Sequence, residues 1–317
     1  MSESGAPEPG ALVSVLVRSM DRDTLAQALQ SVENQSHQSV ELILVNAKGG
    51  YHRDCVYTGL RVPVHLVNQG GSPLSRPQAA NAGLAAANGQ YLTFLDDDDT
   101  IDTDHLKNLV RAIQSEGDCV VVYAGVRCID RSDPEQKVTR VFGTTMESRA
   151  QLLAGNFIPI HGPLFPAYMC QHARYDEELL TYEDWDFWLQ LAQRARFVYT
   201  HEVTATYFTG GTSGVSPQVP DMEAVRLATR ALFEKWMRLT PDEFKNICNL
   251  YHESSAALKA TRQELVMAKQ TLLTTESNQQ AQAAALERLY QSRSWRLTKT
   301  LREFNRTWLR LRSKFGL

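Results

Sequence analysis

Four consecutive aspartates stand at positions 96–99, directly after a short apolar run. Carboxylates crowded at one point repel one another, and a hard divalent cation relieves that repulsion. Mg²⁺ and Mn²⁺ prefer carboxylate and water oxygens, and they often complete their shell with the phosphates of a substrate. The run therefore indicates a metal site for a phosphorylated ligand. The alternative is a solvated acidic loop that caps the next helix through Asp102 or Asp104.

A second acidic group, Glu183 and Asp184, opens a predicted helix and is flanked by aromatic residues. A carboxylate in such a partly dry setting is suited to act as a general base. Acidic residues in a first helical turn also simply complement the helix dipole, so the pair alone does not decide between the two roles.

The elements that must position these residues are visible as alternating patterns. Apolar runs predict buried strands at residues 12–17, 40–45, 62–67 and 91–95. Helical periodicity predicts helices at 25–32 and 77–88, the second closed by Asn88-Gly89 as its C-cap. This alternation predicts an α/β fold with a mostly parallel sheet flanked by helices. In open α/β sheets ligands bind beyond the carboxyl ends of strands, which is where the aspartate run lies.

Taken in order along the chain, the motifs are recognisable as a set. They are the apolar runs at 13–17 and 40–45, Gln35-Ser36, Ala80-Asn81-Ala82-Gly83-Leu84, the segment 88–99 and Glu183-Asp184-Trp185-Asp186. This set resembles the family 2 glycosyltransferases of the GT-A (Rossmann-like) fold, an inverting group that builds polysaccharides and glycans. The resemblance covers about residues 12–215. The segment 292–298 is also similar to a tail seen in bacterial surface-polysaccharide members.

The resemblance implies roles for individual carboxylates. Asp96 and Asp98 match the family's D-x-D motif, so that Asp98 would bind Mg²⁺ or Mn²⁺ at the diphosphate of a nucleotide-sugar. Asp96 would lie near the ribose or the metal, and Asp99 matches a further acidic position. Asp184 matches the catalytic base, with Glu183 beside it.

The chain departs from the family pattern around the nucleotide. The two aspartates that usually end the second strand are replaced here, which leaves Asn46 as the candidate to hydrogen-bond the base edge. Arg18 and Lys48 are candidate phosphate contacts, with surface salt bridges as the alternative. The family has an arginine where this chain has Ala80, and Arg76 is the candidate to take over its role.

These features imply an enzyme that moves a sugar from a nucleotide-diphosphate sugar to a glycan, a lipid-linked glycan or a protein. The alternative is a non-catalytic GT-A-like binding module that works through its C-terminal helices. A Rossmann oxidoreductase is disfavoured because no G-x-G-x-x-G follows the first strand. His161 is interpreted as an ordinary hydrogen-bonded histidine, with a place on the acceptor side as the alternative. Tyr207 and the Gly210-Gly211 loop are interpreted either as a lid or as a plain surface turn.

The composition of the 317 residues fits a globular protein, and Lys+Arg 33 nearly balance Asp+Glu 36. Five scattered cysteines without a C-x-x-C pair favour reduced thiols in a cytoplasm. No apolar run approaches the ~18–20 residues of a spanning helix. We expect a disordered tail at 1–11, the glycosyltransferase domain at 12–215, a helical extension at 216–287 and a basic amphipathic helix at 288–317.

Two features of the C-terminal region concern partners. Leu258, Leu265, Leu272 and Leu286 share a heptad phase, which predicts either a coiled-coil homodimer or a single helix folded back on the domain. The last segment has nine Lys or Arg against one Glu, with Trp and Phe on one face. This pattern favours peripheral contact with the inner face of the plasma membrane over packing on the protein itself, and it is not expected to bind nucleic acid.

Overall fold

The structure, a computed structural model, describes residues 10–53, 57–117, 119–146, 148–210 and 222–291. The chain divides into two compact units, Met1–Ile247 and Cys248–Leu317. Most of the predicted N-terminal tail, the loop beyond Gly210, Cys55 and nearly all of the predicted basic helix lie outside the described residues.

In the described ranges the chain forms nine strands and seven α-helices. The strands are β1 (Val13–Ser19), β2 (Val40–Asn46), β3 (Val64–Val67), β4 (Tyr91–Asp96), β5 (Thr100–Ile101), β6 (Val120–Asp130), β7 (Val138–Phe142), β8 (Pro163–Pro166) and β9 (Arg196–Thr209). The helices are α1 (Leu25–Glu33), α2 (Arg76–Ala86), α3 (His105–Glu116), α4 (Arg149–Ala154), α5 (Glu183–Leu191), α6 (Met222–Leu239) and α7 (Pro241–Gln291).

The strands form one sheet in the order β3-β2-β1-β4-β8-β6-β9-β5, with β7 paired to β6. The pairs among β3, β2, β1 and β4 are parallel, as is β6 with β9, whereas β8 runs antiparallel to both of its neighbours. This confirms the predicted α/β fold with a mostly parallel sheet. From β1 the chain moves outward to β2 and β3 and then returns to β4 on the other side of β1. The carboxyl ends of β1 and β4 therefore flank the point where the strand order reverses, which is the usual ligand position in such sheets.

Hydrophobic layers cover both faces of the sheet. All seven residues of β1 are buried, as is typical of a central parallel strand. Leu16 packs in the layer that includes the aromatic residues of α5. Val15 and Val17 pack on the opposite side with α1 and α3. The two layers hold the end of β1 rigidly against that of β4.

Helix α6 belongs to the same unit and is tied to α5 by polar contacts. Asp186 is fully buried on α5. It accepts hydrogen bonds from Lys235 Nζ at 2.9 Å and from Trp236 Nε1 at 2.8 Å. These bonds satisfy a buried carboxylate that would otherwise be costly, and they fix α6 against the helix that begins with Glu183.

One predicted helix cap is wrong, and a second, at Asp104, is right in position but makes no side-chain cap bond. Helix α2 ends at Ala86, and Gly89 serves a close approach instead, because a Cβ there would lie 2.6 Å from Ser14 N. Helix α3 has Asp104 at its N-cap position without a side-chain cap bond. The Asp104 carboxylate accepts from Ser36 Oγ at 2.6 Å, and Asp102 pairs with Arg127. Both aspartates are therefore used in tertiary contacts.

In the second unit, the heptad leucines of α7 are largely exposed, with 72% for Leu258, 68% for Leu265 and 58% for Leu272. Within the described ranges, no helix is both long and apolar enough to span a membrane.

Candidate active site

A cavity of about 360 Å³ opens at the carboxyl ends of β1 and β4 and at the start of α5. Its wall includes Arg18 from β1, three of the four aspartates that follow β4, and the pair Glu183 and Asp184. Residues that lie far apart in the chain thus meet at the predicted edge of the sheet.

Arg18 joins the two acidic groups. It is only 8% exposed. Its Nε and Nη2 atoms donate to the two carboxylate oxygens of Asp96 at 2.8 Å each, and Nη1 donates to Glu183 Oε1 at 2.9 Å. Burial raises the pKa of Asp96, but the charge and hydrogen bonds of Arg18 outweigh it and hold that pKa below its usual value. Arg18 is thus a buried bridge between carboxylates, and its salt bridges are not at the surface.

One of the four aspartates holds a loop, and the other three converge in the cavity. Asp97 is fully buried and accepts hydrogen bonds from Met20 N at 2.7 Å and from the Arg22 side chain, so it fixes the loop after β1. Asp96, Asp98 and Asp99 each bring one carboxylate oxygen within 4.8 Å of the others. Three of the four residues of the run therefore converge on one point of the cavity.

The electrostatics of this acidic group suit a cation. Burial and then the charge of Asp96 raise the pKa values of Asp98 and Asp99, the latter well above its usual range. Three oxygen donors that repel one another match the preference of Mg²⁺ or Mn²⁺ for carboxylates. The residues present therefore fit a divalent cation of this kind.

Asp184 lies in the first turn of α5, after Tyr182, whose φ of 64° turns the chain into the helix. Its Oδ2 accepts from Asn156 Nδ2 at 3.3 Å, and its Oδ1 accepts from the Trp185 backbone N–H at 2.7 Å. Burial, followed by the charge of Glu183, raises the pKa of Asp184 to about 7. A carboxylate with a pKa near neutrality is poised to take up a proton at physiological pH.

The interpretation of His161 as an ordinary hydrogen-bonded histidine is wrong for the described part of the chain. It is 1% exposed and lines the cavity, and neither ring nitrogen has a hydrogen-bond partner within the described part of the chain. Its Nδ1 atom lies 3.5 Å from Asp99 Oδ2, and its ring stacks on that of Tyr207. Burial lowers the pKa of His161 to about 4, so the ring is neutral at pH 7.

The remaining candidates divide into two groups. Asn46 is fully buried, and its side chain donates to Gly50 O and accepts from Gly49 N. Lys48 pairs with Asp21 at 3.1 Å, and neither Asn46 nor Lys48 is among the described residues of the cavity wall. Arg76, the first residue of α2, does line the cavity. Of the five residues predicted to contact the nucleotide, Arg18, Arg76 and Asp96 line the cavity.

Two polar residues of the cavity were not found from the sequence. Arg22 lies 3.5 Å from Asp98 Oδ2, and Asn156 holds Asp184. Both stand in segments without a recognisable motif, and their significance arises only from the fold.

Comparison with known proteins shows which sequences and folds this chain is similar to. Residues 61–174 match the sequence profile described as "Glycosyl transferase family 2". A relative from Campylobacter jejuni, the GalNAc(5)-diNAcBac-PP-undecaprenol beta-1,3-glucosyltransferase, is 24% identical over 261 residues, which cover 77% of this chain and 81% of that protein.

Solved structures share the fold at low sequence identity. The mannosyltransferase PcManGT from Pyrobaculum calidifontis, solved with GDP-Man and Mn²⁺, gives a TM-score of 0.51 at 19% identity over 95% of this chain and 87% of that one. S. aureus TarS 1-349 in complex with UDP-GlcNAc gives 0.50 at 18% identity over 68% of this chain and 65% of that one. Residues 61–174 thus carry a glycosyltransferase family 2 domain, the relative from Campylobacter supports a glycosyltransferase, and the shared architecture shows the GT-A fold.

Proposed function

We propose that the protein transfers a sugar from a nucleotide-diphosphate sugar to an acceptor hydroxyl with inversion at the anomeric carbon, and that Asp184 is the general base. The observation that carries this proposal is the pairing of Asp184, whose pKa is raised to about 7, with the acidic group at positions 96, 98 and 99 in one cavity. A base and a diphosphate site in one cavity are what a single displacement at a glycosyl phosphate needs.

On the donor side, the chain's own residues bind and orient the diphosphate. Asp98 and Asp99, with Asp96, would hold a Mg²⁺ or Mn²⁺ ion, which when bound neutralises charge on the nucleoside diphosphate. Arg76 lines the same cavity and is placed to contact a phosphate. Arg18 keeps Asp96 ionised and fixes the directions of its two oxygens. The UDP-GlcNAc and GDP-Man complexes of the structural neighbours support a donor of this class.

On the acceptor side, Asp184 takes the proton from the attacking hydroxyl. The acceptor oxygen forms a bond to the anomeric carbon, and the bond from that carbon to the diphosphate breaks, with its electron pair leaving on the nucleoside diphosphate. Because the attack occurs in one step from the opposite face, no enzyme nucleophile is required. Asn156 holds Asp184 in place, and a positioned base contributes roughly 10²–10⁴-fold to such a rate.

For the acceptor, we propose a lipid-linked glycan at the cytoplasmic face of a bacterial membrane. The Campylobacter relative is named for an undecaprenol-linked acceptor, which supports this choice over a free glycan or a protein. The predicted basic helix at 288–317 would bring the enzyme to an anionic lipid surface. Retention of the full chain, but not of a chain ending at residue 287, on vesicles with anionic lipid would support this role, and equal retention of both would contradict it.

The donor proposal is tested by the thermal midpoint of unfolding with UDP, GDP, ADP and CDP, each with and without Mn²⁺. A ligand at one hundred times its dissociation constant stabilises the folded state by about 2.7 kcal/mol. We expect one of these nucleotides to raise the midpoint only when Mn²⁺ is present. Transfer assays would then use sugars linked to that nucleotide. If none of them raises the midpoint under either condition, the non-catalytic binding module would replace the enzyme as the better account.

A further inference from the structure

We propose that His161 supplies a nitrogen ligand to the divalent cation, so that the site is built for Mn²⁺ rather than Mg²⁺. This inference rests on the proposed function, since it concerns the cation held by Asp98 and Asp99. It adds to the three carboxylates a residue from another part of the chain.

The first support is the position of the ring. His161 precedes β8, and its Nδ1 atom lies 3.5 Å from Asp99 Oδ2, with no hydrogen bond between the two. The same cavity wall includes His161, Asp98 and Asp99. An imidazole nitrogen therefore lies beside Asp99, one of the three carboxylates that converge in this cavity.

The second support is the lack of any other use for the ring. Burying a polar group without a hydrogen bond costs about 1–3 kcal/mol. His161 is 1% exposed, and both of its nitrogens are without a hydrogen-bond partner in the described part of the chain. A cation between the ring and the carboxylates would satisfy one of these nitrogens.

The third support is the state of the neighbouring carboxylates. Each oxygen of Asp96 accepts a hydrogen bond from Arg18, and the positive charge of this arginine makes Asp96 a weaker ligand for a cation than Asp98 or Asp99. Asp98 and Asp99 alone supply a sparse ligand set for a cation. His161, whose Nδ1 atom lies beside Asp99, would add a nitrogen donor to these two carboxylates.

The mixed donor set has a consequence for metal choice. Mg²⁺ is a hard ion that binds oxygen and retains water, whereas imidazole is a better ligand for transition-metal ions. Removing the imidazole should therefore weaken Mn²⁺ binding more than Mg²⁺ binding. The ratio of Mn²⁺ affinity to Mg²⁺ affinity therefore measures the contribution of His161 to metal binding without any assay of sugar transfer.

The experiment uses the full chain loaded with Mn²⁺ and measures electron spin echo modulation from nuclei near the ion. We expect ¹⁴N modulation in the wild type, replaced by a ¹⁵N pattern when the protein is made with ¹⁵N-histidine. The signal should vanish in His161→Ala and persist in His172→Ala, which changes an exposed histidine. Titration should show Mn²⁺ affinity falling about tenfold or more in His161→Ala, by analogy with losses around other metal sites, with Mg²⁺ affinity nearly unchanged.

The isotope label tests the inference even if His161→Ala folds poorly. Bound Mn²⁺ with no histidine nitrogen signal would overturn the role of His161 and leave the proposed metal use intact. A change in donor or acceptor binding alone, with Mn²⁺ affinity preserved in His161→Ala, would also overturn it and assign the ring to a substrate. If Mn²⁺ does not bind the wild type at all, both this inference and the proposed metal use are wrong.

Discussion

Arg18 Nη1 donates to Glu183 Oε1 at 2.9 Å, a contact between residues 165 positions apart in the chain. The same guanidinium holds both oxygens of Asp96. One buried cation thus joins the end of β1, the donor side of the cavity and the first turn of the helix that carries Asp184. Arg18 thereby compensates the negative charges of Asp96 and Glu183 inside the protein.

Replacing Arg18 by methionine should strongly destabilise the fold. Asp96 and Glu183 would lose the partner that compensates their burial, and breaking a buried ion pair costs about 3–5 kcal/mol. Urea unfolding monitored by circular dichroism measures the loss. Arg230→Met is the matched control, because it breaks a solvent-exposed pair with Glu234 and should change the free energy of unfolding little. Equal losses in the two variants would show that Arg18 does not act as a buried bridge.

The neighbouring residues Asp97 and Asp98 should have opposite effects when replaced by alanine. Asp97→Ala leaves Met20 N and Arg22 without their acceptor, so we expect about 1–3 kcal/mol less stability with Mn²⁺ affinity retained. In Asp98→Ala, Mn²⁺ affinity should fall while stability is retained, because its ionised form is disfavoured by burial and by Asp96. Calorimetric titration and urea unfolding separate the two quantities. The assignment fails if Asp97→Ala is the variant that loses the metal.

The transfer rate should depend on pH through Asp184. Its pKa is raised to about 7, and the base must be deprotonated to accept the hydroxyl proton. The rate constant kcat/KM should therefore rise about tenfold per pH unit well below pH 7 and level off above it. An initial-rate profile at fixed metal concentration measures this limb. A value of kcat/KM that stays constant between about pH 5.5 and 8, roughly one unit or more on each side of that pKa, would contradict a base of this kind.

How much of this site was predictable depends on where the information lies in the chain. The strands β1, β2 and β4 are continuous apolar runs, and the carboxylates follow them directly, so strand positions and the metal group could be predicted from local sequence. Asp184 could be predicted because it belongs to the local motif Glu183-Asp184-Trp185-Asp186 at the start of a helix.

Residues whose roles depend on distant partners could not be assigned in this way. From the sequence, Arg18 is a candidate phosphate contact with a surface salt bridge as the alternative, and its buried position between Asp96 and Glu183 arises only from the fold. Asn46 reads as a base contact until its amide is seen bound to Gly49 and Gly50. The burial of His161, which has no hydrogen-bond partner among the described residues, likewise depends on the fold that brings Tyr207 to it, and no spacing in the sequence indicates this contact.

The second unit should mediate self-association through α7. Leu258, Leu265 and Leu272 recur every seven residues and are more than half exposed, and burying such a stripe favours a coiled coil. We expect sedimentation equilibrium to give a dimer for the full chain and a monomer for Leu265→Lys. Leu227→Lys on α6, where the leucine is also 57% exposed, is the control and should remain dimeric. A monomeric wild type would contradict this prediction.

The most direct test of the central claim is sugar transfer by Asp184→Asn at pH 8, once a donor has been found. The amide keeps the size of the side chain, and its one oxygen can still accept from the Trp185 backbone N–H, but it loses the second acceptor that faces Asn156 and cannot accept the proton. We predict a fall of about 10²–10⁴-fold in the single-turnover rate, with donor binding and its requirement for Mn²⁺ unchanged. Transfer at the wild-type rate by this variant would contradict the account, because it would remove Asp184 from the reaction.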